Sequence, residues 1–339
     1  MSYLEVSKVH PQLGKLLEND FKLQLKAGED FAKKNGVSLE VITSMQCDWD
    51  LILKYNRHIA AALDLERAKR IPENVAFEIV NTRGVQSEWI YVPQASEEKI
   101  FFHLFGGGYI MGTLPTRRWS SYLYSRQCKM RVLNVGYRLA PEHPYPAALK
   151  DSLNAYHWLL DLGINPKNII ICGESAGGGL TMATMLKLRE LELPLPAAAV
   201  MQSPWVDLRA RGKSLKKYYN YEPELAVGVK PMARVYANRE NLKNPFISPV
   251  YADLHDLSPL LIQAGSIEVL LDDSILLADR AKEAGVDVTL EVYEGMTHVF
   301  QSFADDLEES IKAWKSIGDF VQDHLKFQVK DTIEQSKIV

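Results

Sequence analysis

Cysteine is scarce: Cys47, Cys128 and Cys172 are the only three in 339 residues. An odd number without metal-ligand spacing indicates neither a disulfide scaffold nor a zinc site, so they read as reduced structural thiols, Cys172 in a core strand. Positive charge is not in excess. Lys plus Arg number 39 against 43 Asp plus Glu, a net charge of −4, which leaves no basic footprint for nucleic acid. No apolar run approaches the length of a bilayer span. The opening Met1-Ser2-Tyr3-Leu4-Glu5-Val6-Ser7-Lys8 lacks the basic-then-apolar layout of a secretory signal. A cytoplasmic protein without a stable membrane anchor is expected. Internal repeats and low-complexity tracts are missing too, leaving one large globular unit with an added lid as the expectation for this length.

What is present centres on Ile169-Ile170-Ile171-Cys172-Gly173-Glu174-Ser175-Ala176-Gly177-Gly178-Gly179-Leu180. An apolar, β-branched run stops at Gly-Glu-Ser-Ala-Gly and helix formers follow, which predicts strand, sharp turn and helix. That is the setting of a nucleophile elbow, with a strained Ser175 at the positive end of a helix.

Upstream, apolar spacing of three and four predicts helices near Leu13 to Lys34 and Asp48 to Arg70. The period then changes to two: Val75 to Val80 and Gln86 to Val92 flank Asn81-Thr82-Arg83-Gly84 as a β-hairpin. Strands are predicted at Lys99 to Leu104, Arg131 to Gly136, Ala197 to Gln202, Pro259 to Ala264 and Val288 to Tyr293, with a helix at Ala147 to Leu162. Alternating strands and helices point to an α/β fold with a doubly wound, mostly parallel sheet of about eight strands. The strand pattern lapses between Asp207 and Pro249. The expected division is a helical cap segment at 1–70, a catalytic domain at 71–327 carrying a cap insertion at about 209–244, and a polar C-terminal tail at 328–339 after an amphipathic helix from Ala304 to Phe327.

A serine hydroxyl needs a base, an orienting acid and oxyanion donors before it acts as a nucleophile. Loops after later strands offer an acid in Gly265-Ser266-Ile267-Glu268-Val269-Leu270-Leu271-Asp272-Asp273 and a base in Glu294-Gly295-Met296-Thr297-His298. Asp272 and Asp273 rival Glu268 as the acid, but fit the first turn of the following helix, where negative charge is favoured.

Together with Tyr137-Arg138-Leu139-Ala140-Pro141-Glu142-His143-Pro144, Ser203-Pro204-Trp205-Val206-Asp207-Leu208 and Asn244-Pro245-Phe246-Ile247-Ser248-Pro249, these stretches resemble the hormone-sensitive-lipase family of α/β-hydrolases over roughly Lys99 to Phe303. The resemblance implies an α/β-hydrolase fold with a helical cap and a serine carboxylesterase acting on short- to medium-chain esters. It makes Ser175 the nucleophile, His298 the base and Glu268 the acid, at a position where the family usually has Asp. Backbone N–H groups of Gly106, Gly107 and Ala176 become the oxyanion hole, with Phe105, Gly108 and Tyr109 beside the substrate. The family's loop is His-Gly-Gly-Gly, whereas this chain has Phe105-Gly106-Gly107-Gly108, so Phe105 braces the loop by packing alone, and His103 shares its side of the strand. His103 and His143 read as structural, and His157 and His255 have no motif around them. No cofactor, no metal and no nucleic-acid partner are expected; the substrate is a small-molecule ester, and a homodimer is compatible with the chain. Two other readings share the pattern: triad chemistry turned to amide hydrolysis, acyl transfer or cyclisation, and a non-catalytic receptor of the same fold, which would have no need of the base.

Overall fold

The computed structural model describes residues 9–43 and 48–335, with side chains as far as residue 325. Cys47 lies outside the described residues, as do the first eight. Three helices precede any strand: α1 (Pro11–Asn35), α2 (Leu39–Thr43) and α3 (Trp49–Ala68). The hairpin β1 (Ala76–Thr82) and β2 (Val85–Tyr91) follows, turning at Arg83-Gly84. Then come β3 (Ser96–Leu104), α4 (Arg118–Cys128), β4 (Met130–Val135), α5 (Ala147–Asp161), β5 (Ile169–Glu174), α6 (Ala176–Glu190) and β6 (Ala198–Gln202). The segment where the strand pattern lapses holds α7 (Ser214–Lys217) and α8 (Pro223–Ala237). The chain closes with β7 (Leu260–Gly265), α9 (Leu271–Glu283), β8 (Val288–Tyr293) and α10 (Glu308–Gln335).

The eight strands form one sheet in the order β1-β2-β4-β3-β5-β6-β7-β8, antiparallel at the β1–β2 and β2–β4 pairs and parallel from β4 onward. Alternate residues of the central strands feed two cores, as a period of two requires. Ile169 and Ile171 join Phe102, Leu104, Met201 and Ile262 under α5, α6 and α9. Ile170 and Cys172 join Phe101, Val132 and Val200 under α4 and α10. Both faces of the central strands β5, β6 and β7 are therefore dry, which is why those strands read as mostly apolar runs.

Two sequence expectations shift at the C-terminus. A 3-10 turn over Phe300–Asp306, interrupted where Ala304 takes φ +49°, precedes α10, so the helix starts after Leu307 rather than at Ala304. It also runs to Gln335, through much of the stretch read as a polar tail. Among the described residues no helix is long and apolar enough to cross a membrane.

The N-terminal helices are tied to the carboxyl edge of the parallel strands. Val9 and Leu13 share an apolar cluster with Tyr221 of the inserted segment and with Ile267, Met296 and Phe300 from the loops after β7 and β8. From α3, Arg57 donates through Nε to the Ile110 carbonyl at 2.7 Å and through Nη2 to the Ala140 carbonyl at 3.0 Å, while gripping Glu142 with two bonds of 2.7 and 2.8 Å. Asp64, two α3 turns further on, pairs with Arg117 at 3.0 Å.

The tightest approach in the sheet is between α6 and β3. A Cβ on Gly177 would stand 1.8 Å from the Leu104 carbonyl oxygen, which is backbone and cannot yield. Gly177→Ala should therefore destabilise the fold by at least about 2 kcal/mol through overpacking, read as a lowered denaturant midpoint at unchanged slope.

Candidate active site

Strand β5 delivers the chain into a turn that only a tightly bonded segment holds. Ser175 has φ +55° and ψ −122°, a region costly for a residue with a side chain. Four backbone bonds over-determine it: its N–H donates to the Gln202 carbonyl at 2.9 Å, and its own carbonyl accepts from Trp205 at 2.9 Å, Gly178 at 3.0 Å and Gly179 at 3.2 Å. The result is a serine nine per cent exposed, at the head of α6.

Beside it, Glu174 is buried and fully used. One oxygen accepts from the Gly106 N–H at 2.8 Å, and the other meets His103 Nε2 at 2.9 Å. His103 Nδ1 reaches Ser121 Oγ at 2.8 Å. Burial opposes the charge on Glu174, but His103, Arg117 and the Gly106 N–H together outweigh it and hold the carboxyl below its usual range. His103 is a satisfied core residue, as the sequence reading has it, yet it holds the carboxylate that holds the glycine loop.

This geometry bears on two of the expected assignments. The Gly106 N–H, expected as an oxyanion donor, is committed to Glu174. Among the described residues the Gly107 and Gly108 N–H groups have no such bond, and both residues sit at positive φ, +124° and +61°. Phe105 and Tyr109, expected beside substrate, are each two per cent exposed. Phe105 stacks on Tyr137 with centroids 4.3 Å apart, and Tyr137 Oη donates to the Phe105 carbonyl at 2.6 Å. Tyr109 stacks on Tyr236 of α8 at 3.7 Å. Gly108 lies under the same helix, since a Cβ there would meet Met232 Sδ at 2.2 Å.

On the other side, the loops after β7 and β8 bring Glu268 and His298 together. Glu268 is wholly buried; its Oε2 accepts from Ser203 Oγ at 2.7 Å and from the Gly265 N–H at 2.8 Å. Its Oε1 faces His298 Nδ1 at 3.9 Å, an ion-pair distance too long for a hydrogen bond. Both atoms are buried without another partner, so each is the other's remaining match. Burial lowers the basicity of His298, but Glu268, then Glu222 and Glu174, raise it above the ordinary histidine value.

The rival acids are engaged elsewhere. Asp273 accepts from the Val206 and Asp207 N–H groups at 2.9 and 2.8 Å, and burial pushes its carboxyl up to about 7. Asp272 accepts from the Ser214 N–H at 3.0 Å. His157 lies against Arg83 and His255 against Asp253, remote from Ser175's partners, and His143 borders a groove beside Arg57 and Glu142.

Two residues that sequence reasoning passed over stitch the site together. Ser203 donates to Glu268 and accepts from the Val299 N–H at 3.0 Å, so it joins the two loops from beneath. Its motif, Ser-Pro-Trp-Val-Asp, was visible, but its role was not. Glu222, in the inserted segment, accepts from the Val269 N–H at 2.8 Å and the His298 N–H at 2.5 Å. Only the Pro223 that starts α8 marked its place.

Comparison with known proteins shows what the whole chain is similar to. The family described as having the alpha/beta hydrolase fold matches residues 100–302. An esterase of Acinetobacter venetianus is 34% identical over 253 residues, spanning 74% of this chain and 83% of its own. An acetyl-hydrolase of Streptomyces hygroscopicus is 36% identical over 246 residues, 72% of this chain and 82% of the relative. Among solved structures, an esterase from the bacterial hormone-sensitive lipase family superposes with a TM-score of 0.77 at 40% identity, covering 80% of this chain and 92% of that one.

Because Glu268 is the largest charge supporting the His298 ring, Glu268→Gln should lower the pH at which that ring titrates by about one unit, followed by NMR of the imidazole protons. Asp272→Asn should leave it in place.

Proposed function

The chain belongs to the hormone-sensitive-lipase family of α/β-hydrolases, and from that premise we propose that it is a serine carboxylesterase cleaving small esters of short to medium acyl chains through an acyl-enzyme. The observation that carries this reading is the buried His298–Glu268 pair at the same edge of the sheet as the strained Ser175.

In this reading Ser175 Oγ adds to the ester carbonyl carbon while His298 Nε2 takes its proton, and the carbonyl π electrons move onto oxygen. The oxyanion is received by the N–H groups of Gly107, Gly108 and Ala176. Ala176 is the first residue of α6, where an N–H has no partner within the helix and the helix dipole is positive. Collapse of the tetrahedral adduct re-forms the carbonyl and expels the alkoxide, which takes the proton from His298. Water then repeats both steps on the acyl-serine, releasing the acid. Glu268 stays ionised throughout and balances the imidazolium. The inserted segment and α1–α3 serve as the cap, with α8 lying over Gly108 and Tyr109. Such a close cover suits a small acyl group, in keeping with the acetyl-hydrolase to which the chain is similar.

Phe105 in place of the family histidine gave the redirected-chemistry and receptor readings their weight. The His103–Glu174–Gly106 connection supports the esterase reading, because it supplies a polar brace from two residues upstream.

Ser175→Ala should lose at least about a thousandfold in kcat on p-nitrophenyl acetate while keeping the native melting curve; near-native turnover would overturn the esterase reading. In the parent protein the burst with p-nitrophenyl acetate should exceed that with the octanoate. Phe105→His should change kcat by less than about tenfold, under ~1.4 kcal/mol, since Phe105 carries packing and the brace lies elsewhere. A gain of a hundredfold would show a loop misaligned for ester hydrolysis.

A further inference from the structure

Glu222 occupies a place that neither the fold nor the triad requires. It belongs to the inserted cap segment, yet its carboxylate spans two catalytic loops, taking the N–H of Val269, next to Glu268, and the N–H of His298 itself. Ser203 makes the matching connection from the strand side, through the Glu268 side chain and the Val299 N–H. We infer that Glu222 is a positioning residue: as a carboxylate it sets the separation of the Glu268 and His298 loops from above, so that the acid and base are aligned only when the cap is seated. This rests on the assignment of those two residues to the triad.

The charged groups that act on Glu222 are His298, which stabilises its ionised form, and Glu268, which opposes it. The neighbouring cluster from α1 and Tyr221 is apolar. Burial is the leading influence and pushes the carboxyl up to about 7. An acid whose folded value is raised costs stability as pH rises through that value, because the unfolded chain ionises more readily. The ionised contact is therefore held at the expense of folding, which fits a catalytic duty better than a structural one. Below pH 7 the protonated carboxyl has a hydroxyl where one of the two N–H groups needs an acceptor, and the bridge loosens. The His298–Glu268 pair stands at 3.9 Å, so closing to a hydrogen bond takes about an ångström of relative movement of the two loops that Glu222 bridges.

The test is kcat on p-nitrophenyl acetate from pH 5 to 9, normalised to sites titrated with a fluorophosphonate, for the parent protein, Glu222→Gln and Glu222→Asp. In Glu222→Gln the amide presents one acceptor to two donors at every pH. Its kcat per titrated site should fall at least about tenfold with KM within about threefold. Its acid limb should reflect one ionisation instead of two, and should move to lower pH because the charge that supports His298 is gone. Glu222→Asp, charged but a methylene short, should recover kcat only in part and keep the two-ionisation limb. Glu222→Gln with parental kcat per titrated site and an unchanged limb would overturn the inference, whatever its effect on the fraction of folded protein. That result is separable from failure of the esterase reading, which would appear as turnover surviving in Ser175→Ala.

Discussion

A single buried carboxylate anchors the reactive half of the site. Glu174 is the last residue of β5 and the residue before the strained serine, and it holds the glycine loop and His103 at once. An unpaired charge at such depth would be ruinous, so the surrounding partners are conditions of the fold as much as of the chemistry. His103 must present a ring nitrogen, Gly106 must present its N–H, and β3 must run beside β5 in the register that brings His103 opposite Cys172. Once these hold, the loop beyond Gly106 is left with its next two N–H groups unspent. The oxyanion donors of the proposed mechanism are thus a by-product of how the carboxylate is satisfied.

The same loop is also clamped from outside. Arg57 takes carbonyls from the Ile110 and Ala140 segments, and Arg117, paired with Asp64, lies 5.9 Å from the centre of the Phe105 ring. Helix α3 therefore bears on the glycine loop through two guanidinium groups, and α8 bears on it through Met232 and Tyr236. The two parts read from sequence as a cap reach the loop from different segments of the chain.

The layout of strands was readable because both faces of the central sheet are dry and apolar runs of that kind have few alternatives. Ser175, Glu268 and His298 could be singled out because each sits in a short motif at a loop after a strand. What escaped was decided by pairing across the chain. Nothing in the local sequence says that Gly106 spends its N–H on Glu174, or that Phe105 and Tyr109 bury their rings on Tyr137 and Tyr236. Glu222 was invisible for the same reason: its partners lie 47 and 76 residues away. The end of α10 was misplaced because its last turns are mostly polar, and the four-residue spacing of Leu325, Val329 and Ile333 was passed over.

Those long separations bear on the order in which the molecule becomes reactive during synthesis. The elbow needs only neighbours from the middle of the chain, namely β3, β5, β6 and the start of α6. The proposed base and acid, His298 and Glu268, arrive last, on loops joined to the earlier parts by Ser203 and Glu222. Contacts spanning such stretches close late, since the entropy of bringing their ends together has to be met first. In the proposed mechanism a nascent chain therefore carries a formed elbow with its serine not yet activated while the stretch from β6 to the loop after β8 is being made.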